Sequence, residues 1–206
     1  MTMKTDTREC ILEAAIKRFL HYGYAKTTMS EIARDCSMSA GNIYRFFASK
    51  LDIAEAMARQ YNVEFQQELA QIARDDRPAG ERLYEVFDYG LKATYEKLDA
   101  DAKILEVAEV LSQERPTFSN EELAQERIHL VKILKDGVAA GEFAPIDNPA
   151  FVAEMIQSAM MKFKYPQLFS RLTIEKLARE MDGVMSIILA GLRSGIHANV
   201  HASTDQ

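Results

Sequence analysis

The sequence has few cysteines and no long apolar run, which restricts where the protein can reside. Its apolar stretches fall short of the roughly 20 residues that a membrane-spanning helix requires. The first ten residues, MTMKTDTREC, lack the apolar core of a secretion signal. Two cysteines, Cys10 and Cys36, suit a reducing compartment, and packing on apolar helix faces explains them better than redox sensing. These absences predict a cytoplasmic protein with no membrane partner.

Sequence patterns that signal catalysis are missing as well. The chain contains no HExxH, GxSxG, P-loop or GxGxxG motif. Its histidines are scattered, and the pair with helical metal spacing, His197 and His201, lies in a terminal segment without further candidate ligands. We predict no catalytic residue, no metal site and no cofactor, although missing motifs alone do not exclude an enzyme.

Charge is unevenly distributed along the chain. The whole protein has a net charge of −6, but residues 1–50 hold eight Lys and Arg against five Asp and Glu. The remaining residues hold 17 basic and 26 acidic side chains, which gives them a net charge of −9. A basic segment on an acidic body directs a polyanion such as DNA to one end of the molecule.

Helical periodicity runs through the whole sequence. Apolar residues recur at the spacing of amphipathic helices, and no segment alternates for long enough to predict a strand. Capping residues, glycines and prolines delimit the segments. The pattern predicts an all-α fold with about nine helices, over residues 7–22, 28–36, 40–47, 50–74, 78–98, 101–113, 119–140, 149–164 and 173–193.

Two short helices separated by a tight turn are predicted within residues 27–50. Thr28 and Glu31 have the spacing of a capping box, in which each side chain satisfies a free backbone N–H group at the start of a helix. The residues Ser37-Met38-Ser39 can form only a tight turn, and Ser39 can cap the second helix. This arrangement is that of a helix-turn-helix.

The second short helix, residues 40–47, has small residues at its start. Ile43 and Phe47 are four residues apart and are expected to face inward. Ala40 and Gly41 leave the N-terminus unshielded, while hydrogen-bond donors follow at Asn42, Tyr44, Arg45 and Lys50. A bare helix start surrounded by donors suits insertion into the major groove of DNA.

This stretch resembles the DNA-binding domain of the tetracycline-repressor-like (TetR) family of bacterial transcriptional regulators. The resemblance covers roughly residues 7–55, about a quarter of the chain. The matching residues are Ala40-Gly41-Asn42-Ile43-Tyr44, Phe47 and Ser49-Lys50, with Phe19, Gly23-Tyr24 and Thr27-Thr28 upstream. The resemblance implies a three-helix DNA-binding domain over residues 1–50 and a helical ligand-binding and dimerisation domain over residues 51–206.

The resemblance also assigns roles at the DNA-binding end. Tyr44 and Lys50 are expected to contact phosphates, and Thr28 to present a helix N-terminus to a phosphate. Ala40, Gly41 and Asn42 are expected to lie nearest the base edges. The candidate DNA-binding residues are Thr28, Ser39, Ala40, Gly41, Asn42, Tyr44, Arg45 and Lys50. Because alanine and glycine offer little hydrogen bonding, specificity is expected to depend on Asn42, Arg45 and DNA shape.

Aromatic and methionine side chains in the body are first of all candidates for the core, and the resemblance adds a helix-lined cavity for a small, mainly apolar effector. The candidate cavity residues are Tyr61, Phe65, Phe87, Asp88, Tyr95 and Met160. Asp88 interrupts an apolar stripe. A partly exposed stripe explains that position more simply than a carboxylate inside the cavity.

The last two predicted helices are apolar around most of their circumference and must be covered on two sides. One central core helix in a monomer is an alternative, but two such helices at the end of the chain favour a four-helix dimer interface, which the resemblance also implies. The candidate interface residues are Val152, Met155, Gly183, Ile187, Ala190 and Gly191.

These observations favour a homodimeric transcriptional regulator, a repressor that a small ligand releases from a palindromic operator in double-stranded DNA. One alternative is an all-α enzyme or small-molecule carrier that uses the C-terminal cavity. Another is a ligand-independent DNA-binding protein that protein partners control. Loss of sequence-specific DNA binding on substitution of Tyr44 and Lys50 distinguishes the regulator from the enzyme.

Overall fold

The computed structural model describes residues 2–100, 103–165, 168 and 171–195, and contains no strand within them. The predicted all-α fold is confirmed. Ten helices are delimited in the described part of the chain: α1 (Thr2–Tyr22), α2 (Met29–Asp35), α3 (Ala40–Ile43), α4 (Lys50–Ile72), α5 (Ala79–Ala100), α6 (Ile104–Glu114), α7 (Pro116–Ala139), α8 (Pro149–Ala159), α9 (Met161–Lys164) and α10 (Ile174–Ser194).

Helix α1 begins at Thr2, so the predicted start near residue 7 is wrong. Helix α7 begins at Pro116 rather than at residue 119 or 120, because proline needs no N–H partner in the first turn of a helix. One residue, Arg115, with φ −135° and ψ 57°, therefore joins α6 to α7. The predicted helix 149–164 is interrupted at Met160, where ψ is 3°.

Several predicted helix boundaries are confirmed by hydrogen bonds at the helix ends. Ser49 Oγ accepts from the N–H of Asp52 at 3.1 Å at the start of α4. Asn148 Oδ1 accepts from the N–H of Phe151 at 3.1 Å at the start of α8. Tyr165, which precedes a proline, is extended with ψ 114° and ends α9.

The buried side chains form two apolar clusters, and α4 contributes to both. The smaller cluster, the head, combines α1–α3 with Ile53 and Ala54 of α4 and with apolar residues of α6 and α7. The larger cluster, the body, contains Leu69 and Ile72 of α4 together with residues of α5, α7, α8, α9 and α10. The 23 residues of α4 span about 35 Å, so this helix connects the two clusters directly.

None of the helices in the described residues has the length and apolar character needed to cross a membrane. The predicted metal-compatible pair His197 and His201, and most of the terminal segment that contains it, lie outside the described residues.

Candidate DNA-binding surface and effector cavity

Helix α2 begins with the predicted capping box. Thr28 Oγ1 accepts from the N–H of Glu31 at 3.3 Å, and the Glu31 carboxylate accepts from the N–H of Thr28 at 2.9 Å. The hydroxyl and N–H of Thr28 both donate to that carboxylate and hold the pKa of Glu31 below its ordinary value. Thr28 is exposed, so this helix N-terminus faces solvent.

Helix α3 is shorter than predicted. Ser39 Oγ accepts from the N–H of Asn42 at 3.3 Å and caps it, as the sequence indicated. The N–H groups of Arg45 and Phe46 then bond to carbonyl oxygens three residues earlier, at 3.1 and 3.0 Å. The chain tightens into a turn after Ile43, so the predicted α-helix to residue 47 is wrong.

The candidate DNA-binding residues of this segment share an outer surface, while Ile43 and Phe47 are 0% and 4% exposed beneath it. We call this the recognition surface; it comprises Ser39, Ala40, Gly41, Asn42, Tyr44 and Arg45. Asn42 is half-buried and the other five are exposed. A methyl group at Gly41 would meet no atom within 4 Å, so the backbone there is open to a close approach.

Lys50, the remaining predicted phosphate contact, is already engaged inside the head. Its Nζ donates to the carbonyl oxygens of Tyr24 at 2.6 Å and Thr27 at 2.8 Å. The ammonium also lies 4.1 Å from the centroid of the Tyr24 ring. Burial lowers the pKa of Lys50. In this arrangement Lys50 ties the α1–α2 loop to the start of α4, and its contact with DNA stays a prediction.

Helix α6 and the residue before it contact the same loop and the end of α1. Glu106 Oε2 accepts from the N–H of Ala25 at 3.4 Å, and Lys103 Nζ donates to the carbonyl oxygen of His21. The loop passes close to α6 at Gly23, where a Cβ atom would lie 2.7 Å from the Glu106 carboxylate. Gly23 also has φ +90°, a conformation that side chains other than glycine rarely adopt.

Arg115, the one-residue link between α6 and α7, also binds α4. Its Nη2 donates to Asp52 at 2.8 Å and its Nε to Glu55 at 3.0 Å. Arg59, one turn further along α4, donates to Glu55 and to Glu121 of α7, at 2.9 Å in both cases. These ion pairs connect the first half of α4 with the joint between α6 and α7.

A cavity of about 130 Å³ lies in the body between α4, α5, α7, α8 and α9. Its wall is mainly apolar, with Phe65 and Leu69 contributed by α4 and Leu130 by α7. The Phe65 ring stacks on the Tyr89 ring with their centroids 5.4 Å apart. The helix that leaves the head therefore forms part of the cavity wall.

The structure places four of the six predicted cavity residues in this wall: Tyr61, Phe65, Phe87 and Met160. Tyr95 and Asp88 are not among the lining residues, so their placement in the cavity is corrected. The simpler explanation for Asp88, a partly exposed stripe, is also wrong because this residue is only 9% exposed. Its carboxylate accepts from Lys92 Nζ at 2.5 Å, an ion pair one helical turn away.

Polar residues in the cavity wall were not found from the sequence. Gln157 is buried, accepting from Arg127 Nε and donating to the carbonyl oxygen of Leu123, each at 2.9 Å. Glu126 and Lys164 line the cavity as an ion pair. Gln157 interrupts the apolar α8, which was the one signal in the sequence; the ion pair joins α7 to α9 and has no local signal.

The predicted dimer residues divide into a covered and an uncovered group. Val152 is 6% exposed within the body cluster, so its assignment to an interface is corrected. Met155 of α8 and Ile187 of α10 are 43% and 75% exposed, and Gly183 and Ala190, which share one face of α10 with Ile187, are exposed as well. Gly191 is half-buried. We call Gly183, Ile187 and Ala190 of α10 the uncovered face.

Comparison with known proteins identifies both parts of the chain. A family model described as bacterial regulatory proteins of the tetR family matches residues 11–57. A second, described as the tetracyclin repressor-like C-terminal domain, matches residues 79–185, more than half of the chain. The HTH-type transcriptional regulator YhgD of Bacillus subtilis is 26% identical over 154 residues, which cover 70% of this chain and 76% of that protein.

Solved structures show the same fold over nearly the whole length. FadR of Thermus thermophilus, a transcriptional repressor in complex with lauroyl-CoA, superposes with a TM-score of 0.68 at 19% identity, covering 90% of this chain and 94% of that one. SmeT in complex with triclosan gives a TM-score of 0.64 at 19% identity, covering 90% and 91%; SmeT represses a multidrug efflux pump of Stenotrophomonas maltophilia. The solved structures agree in fold, and the two family models show that the chain is a member of the TetR family of transcriptional regulators.

Proposed function

We propose that this regulator is a homodimeric repressor that binds a palindromic operator and is released by a small, mainly apolar effector. The observation that carries the proposal is the position of α4, because Phe65 and Leu69 line the cavity while Ile53 and Ala54 pack in the head. A ligand pressed against Phe65 therefore acts on the helix that supports the recognition surface.

The composition of the cavity wall supports the effector class. Aromatic, aliphatic and thioether groups dominate it, and the lining carboxylate of Glu126 and ammonium of Lys164 neutralise each other. At about 130 Å³ the cavity lies below the roughly 300–1,000 Å³ of pockets for drug-sized ligands, which favours a small molecule. Triclosan, which one of the solved structures contains, is a small and mainly apolar molecule, which supports the same class.

The uncovered face supports the dimer. An isoleucine with 75% of its surface exposed, beside an exposed glycine and alanine on α10, suits close contact between helices of two subunits. Two copies of the recognition surface then meet two half-sites, which in such dimers are spaced about 34–36 Å apart, one turn of DNA.

The proposal is tested first by selecting duplexes from a randomised library with the purified protein. A palindromic consensus with a half-site spacing near one helical turn is the expected result. Sedimentation of the protein with the selected duplex gives the stoichiometry. A consensus without symmetry, bound by a single chain, would contradict the homodimeric mode of binding.

The effector is tested by a thermal-shift screen of small apolar compounds, followed by titration of each hit with and without the selected duplex. A coupling of about 1–3 kcal/mol changes operator affinity by roughly 5- to 150-fold, and by reciprocity changes ligand affinity by the same factor. Phe65→Ala is expected to weaken the hit, while Val63→Ala, on the exposed surface of the same helix, serves as the control. A hit that binds with the same affinity in the presence and absence of the duplex would exclude ligand-controlled release.

A further inference from the structure

The two cysteines of the head are neighbours in space, although 26 residues separate them in the sequence. Cys36 Sγ donates to the carbonyl oxygen of Cys10 at 3.2 Å. Cys10 is exposed and Cys36 is half-buried. The prediction that packing alone explains both residues is therefore wrong for Cys10, which is exposed.

The two helices that carry these cysteines are held together beside them. Arg18 of α1 donates to both carboxylate oxygens of Asp35 in α2, at 2.5 and 3.0 Å, and lies 3.5 Å from Glu31. Disulfide-bonded cysteines have Cα atoms about 4.4–6.8 Å apart. The Cys36 sulfur, 3.2 Å from the carbonyl oxygen of Cys10, is already in contact with that residue. A disulfide between the two side chains therefore requires neither separation of α1 from α2 nor a large movement of the two helices towards each other.

We propose that Cys10 and Cys36 form an intramolecular disulfide under peroxide oxidation, and that this bond weakens DNA binding. The effect on DNA rests on the recognition surface described above, whereas the formation of the bond does not. The site is thus a redox-sensitive modification site that joins α1 to the helix-turn-helix.

The chemistry assigns a different role to each thiol. The exposed Cys10, as thiolate, attacks one peroxide oxygen; the O–O bond breaks, and the departing hydroxide takes up a proton to leave as water. Cys10 becomes a sulfenic acid. Cys36 sulfur then attacks the Cys10 sulfur, its proton joins the departing hydroxide as a second water, and the S–S bond forms. Burial, followed by the Cys10 thiol, raises the pKa of Cys36 to about 12, so Cys36 is not the thiolate that reacts with the peroxide first.

The disulfide would act on the turn that orients α3. Cys36 is the residue at the end of α2, and its N–H bonds to the carbonyl oxygens of Ile32 and Ala33 at 3.2 and 3.1 Å. Ser37, which follows it, is the one residue other than glycine with a positive φ, +56°, in the described chain. A covalent bond at Cys36 replaces its hydrogen bond to Cys10 and moves the start of this turn, and with it the recognition surface.

The test uses the full-length reduced protein and a fluorescent duplex selected by that protein from a randomised library. After treatment with hydrogen peroxide, free thiols are blocked with N-ethylmaleimide and the intact mass is measured. The expected product has lost about 2 Da, takes up no maleimide and yields one peptide pair joining Cys10 to Cys36. Its affinity for the duplex falls by roughly tenfold or more and returns on addition of dithiothreitol.

Two single variants provide the controls. Cys10→Ser changes an exposed side chain, and Cys36→Ser keeps a hydroxyl donor for the Cys10 carbonyl oxygen, so both are expected to fold and to bind DNA. Neither loses DNA affinity under peroxide. Oxygen addition at Cys10 without a cross-link, or a covalent bond between two chains, overturns the proposed bond. If the cross-linked chain binds DNA with unchanged affinity, the proposed effect of the disulfide on DNA binding is overturned. If the reduced protein selects no duplex, the proposed DNA-binding function fails, while the proposed disulfide is still tested by the intact mass.

Discussion

At the scale of single residues, Lys50 has two roles that can be separated by measurement. Lys50→Ala removes the donor to the carbonyl oxygens of Tyr24 and Thr27, and Thr27 is only 1% exposed. Unpaired buried acceptors cost about 1–3 kcal/mol, so the free energy of unfolding should fall by that amount. If Lys50 also contacts a phosphate, the slope of log affinity against log salt concentration decreases by about one. Lys26→Ala, on an exposed lysine of the same loop, should leave stability unchanged.

Gly23 tests the contact between the loop and α6. Gly23→Ala introduces a side chain at φ +90° and brings it 2.7 Å from the Glu106 carboxylate. Gly141→Ala is a matched control, since Gly141 has φ +72° and no atom within 4 Å of the added methyl group. The left-handed conformation alone costs about 1–2 kcal/mol. The flexible Glu106 side chain can move aside but then gives up its hydrogen bond to Ala25. Chemical denaturation should therefore show a somewhat larger loss for Gly23→Ala, and Glu106→Ala in the same chain should remove the excess; equal losses would contradict a stabilising contact of Glu106 with the loop.

The pKa of Lys97 predicts how stability changes at alkaline pH. Burial lowers this pKa from 10.5 to about 8, with the ammonium lying over the Tyr61 ring. Between these two values the unfolded chain holds a proton that the folded chain has released, so the free energy of unfolding rises with pH in that window. Since Lys97 as a whole residue is exposed, solvent reduces the effect. Denaturation at pH 8 and pH 10 should show a rise that Lys97→Met diminishes.

At the scale of helices and turns, the sequence predicts what local chemistry determines. The caps at Thr28, Ser39 and Ser49 are confirmed because each depends on residues three positions apart. The ion pair between Asp88 and Lys92 has the same local character, and its four-residue spacing was a signal that could have explained the buried carboxylate.

Contacts between distant helices could not be predicted in the same way. The carbonyl oxygens bound by Lys50, the loop contact of Glu106 and the ion pair of Glu126 with Lys164 all join residues far apart in the chain. Nothing in the local sequence of either partner specifies the other. The early turn after Ile43 has the same character, because it places Phe47 in a core shared with residues of α1 and α4.

The joint at Arg115 gives a prediction at this scale. Arg115→Ala removes the bonds to Asp52 and Glu55 of α4 but leaves the cavity and the recognition surface unchanged. We therefore expect the variant to bind the operator with nearly wild-type affinity when no effector is present. The effector should lower that affinity less in the variant than in the wild-type protein. Arg77→Ala is the control, since it removes surface ion pairs at the opposite end of α4. If the effector lowers operator affinity equally in Arg115→Ala and in the wild-type protein, the change is transmitted without these ion pairs.

At the scale of the whole molecule, the uncovered face predicts a dimer that a single charge disrupts. Ile187 is 75% exposed in one chain, so Ile187→Glu should leave the stability of the subunit nearly unchanged. A carboxylate buried between subunits has a large desolvation penalty, so sedimentation at micromolar concentration should show monomers. Operator binding should weaken as one half-site contact is lost. Val63→Glu, on the exposed surface of α4, should remain dimeric.

The head is attached to the body along two separate lines, by helix α4 and by helix α7, since each contributes buried residues to both apolar clusters. A rigid unit fastened at two places keeps few degrees of freedom. It cannot slide along one attachment without straining the other, and rotation about the axis through both remains the soft motion. In the proposed dimer, rotation of each head about such an axis tilts the recognition surface away from the major groove. A small change in angle at the cavity is then enough to weaken the contacts with both half-sites at once.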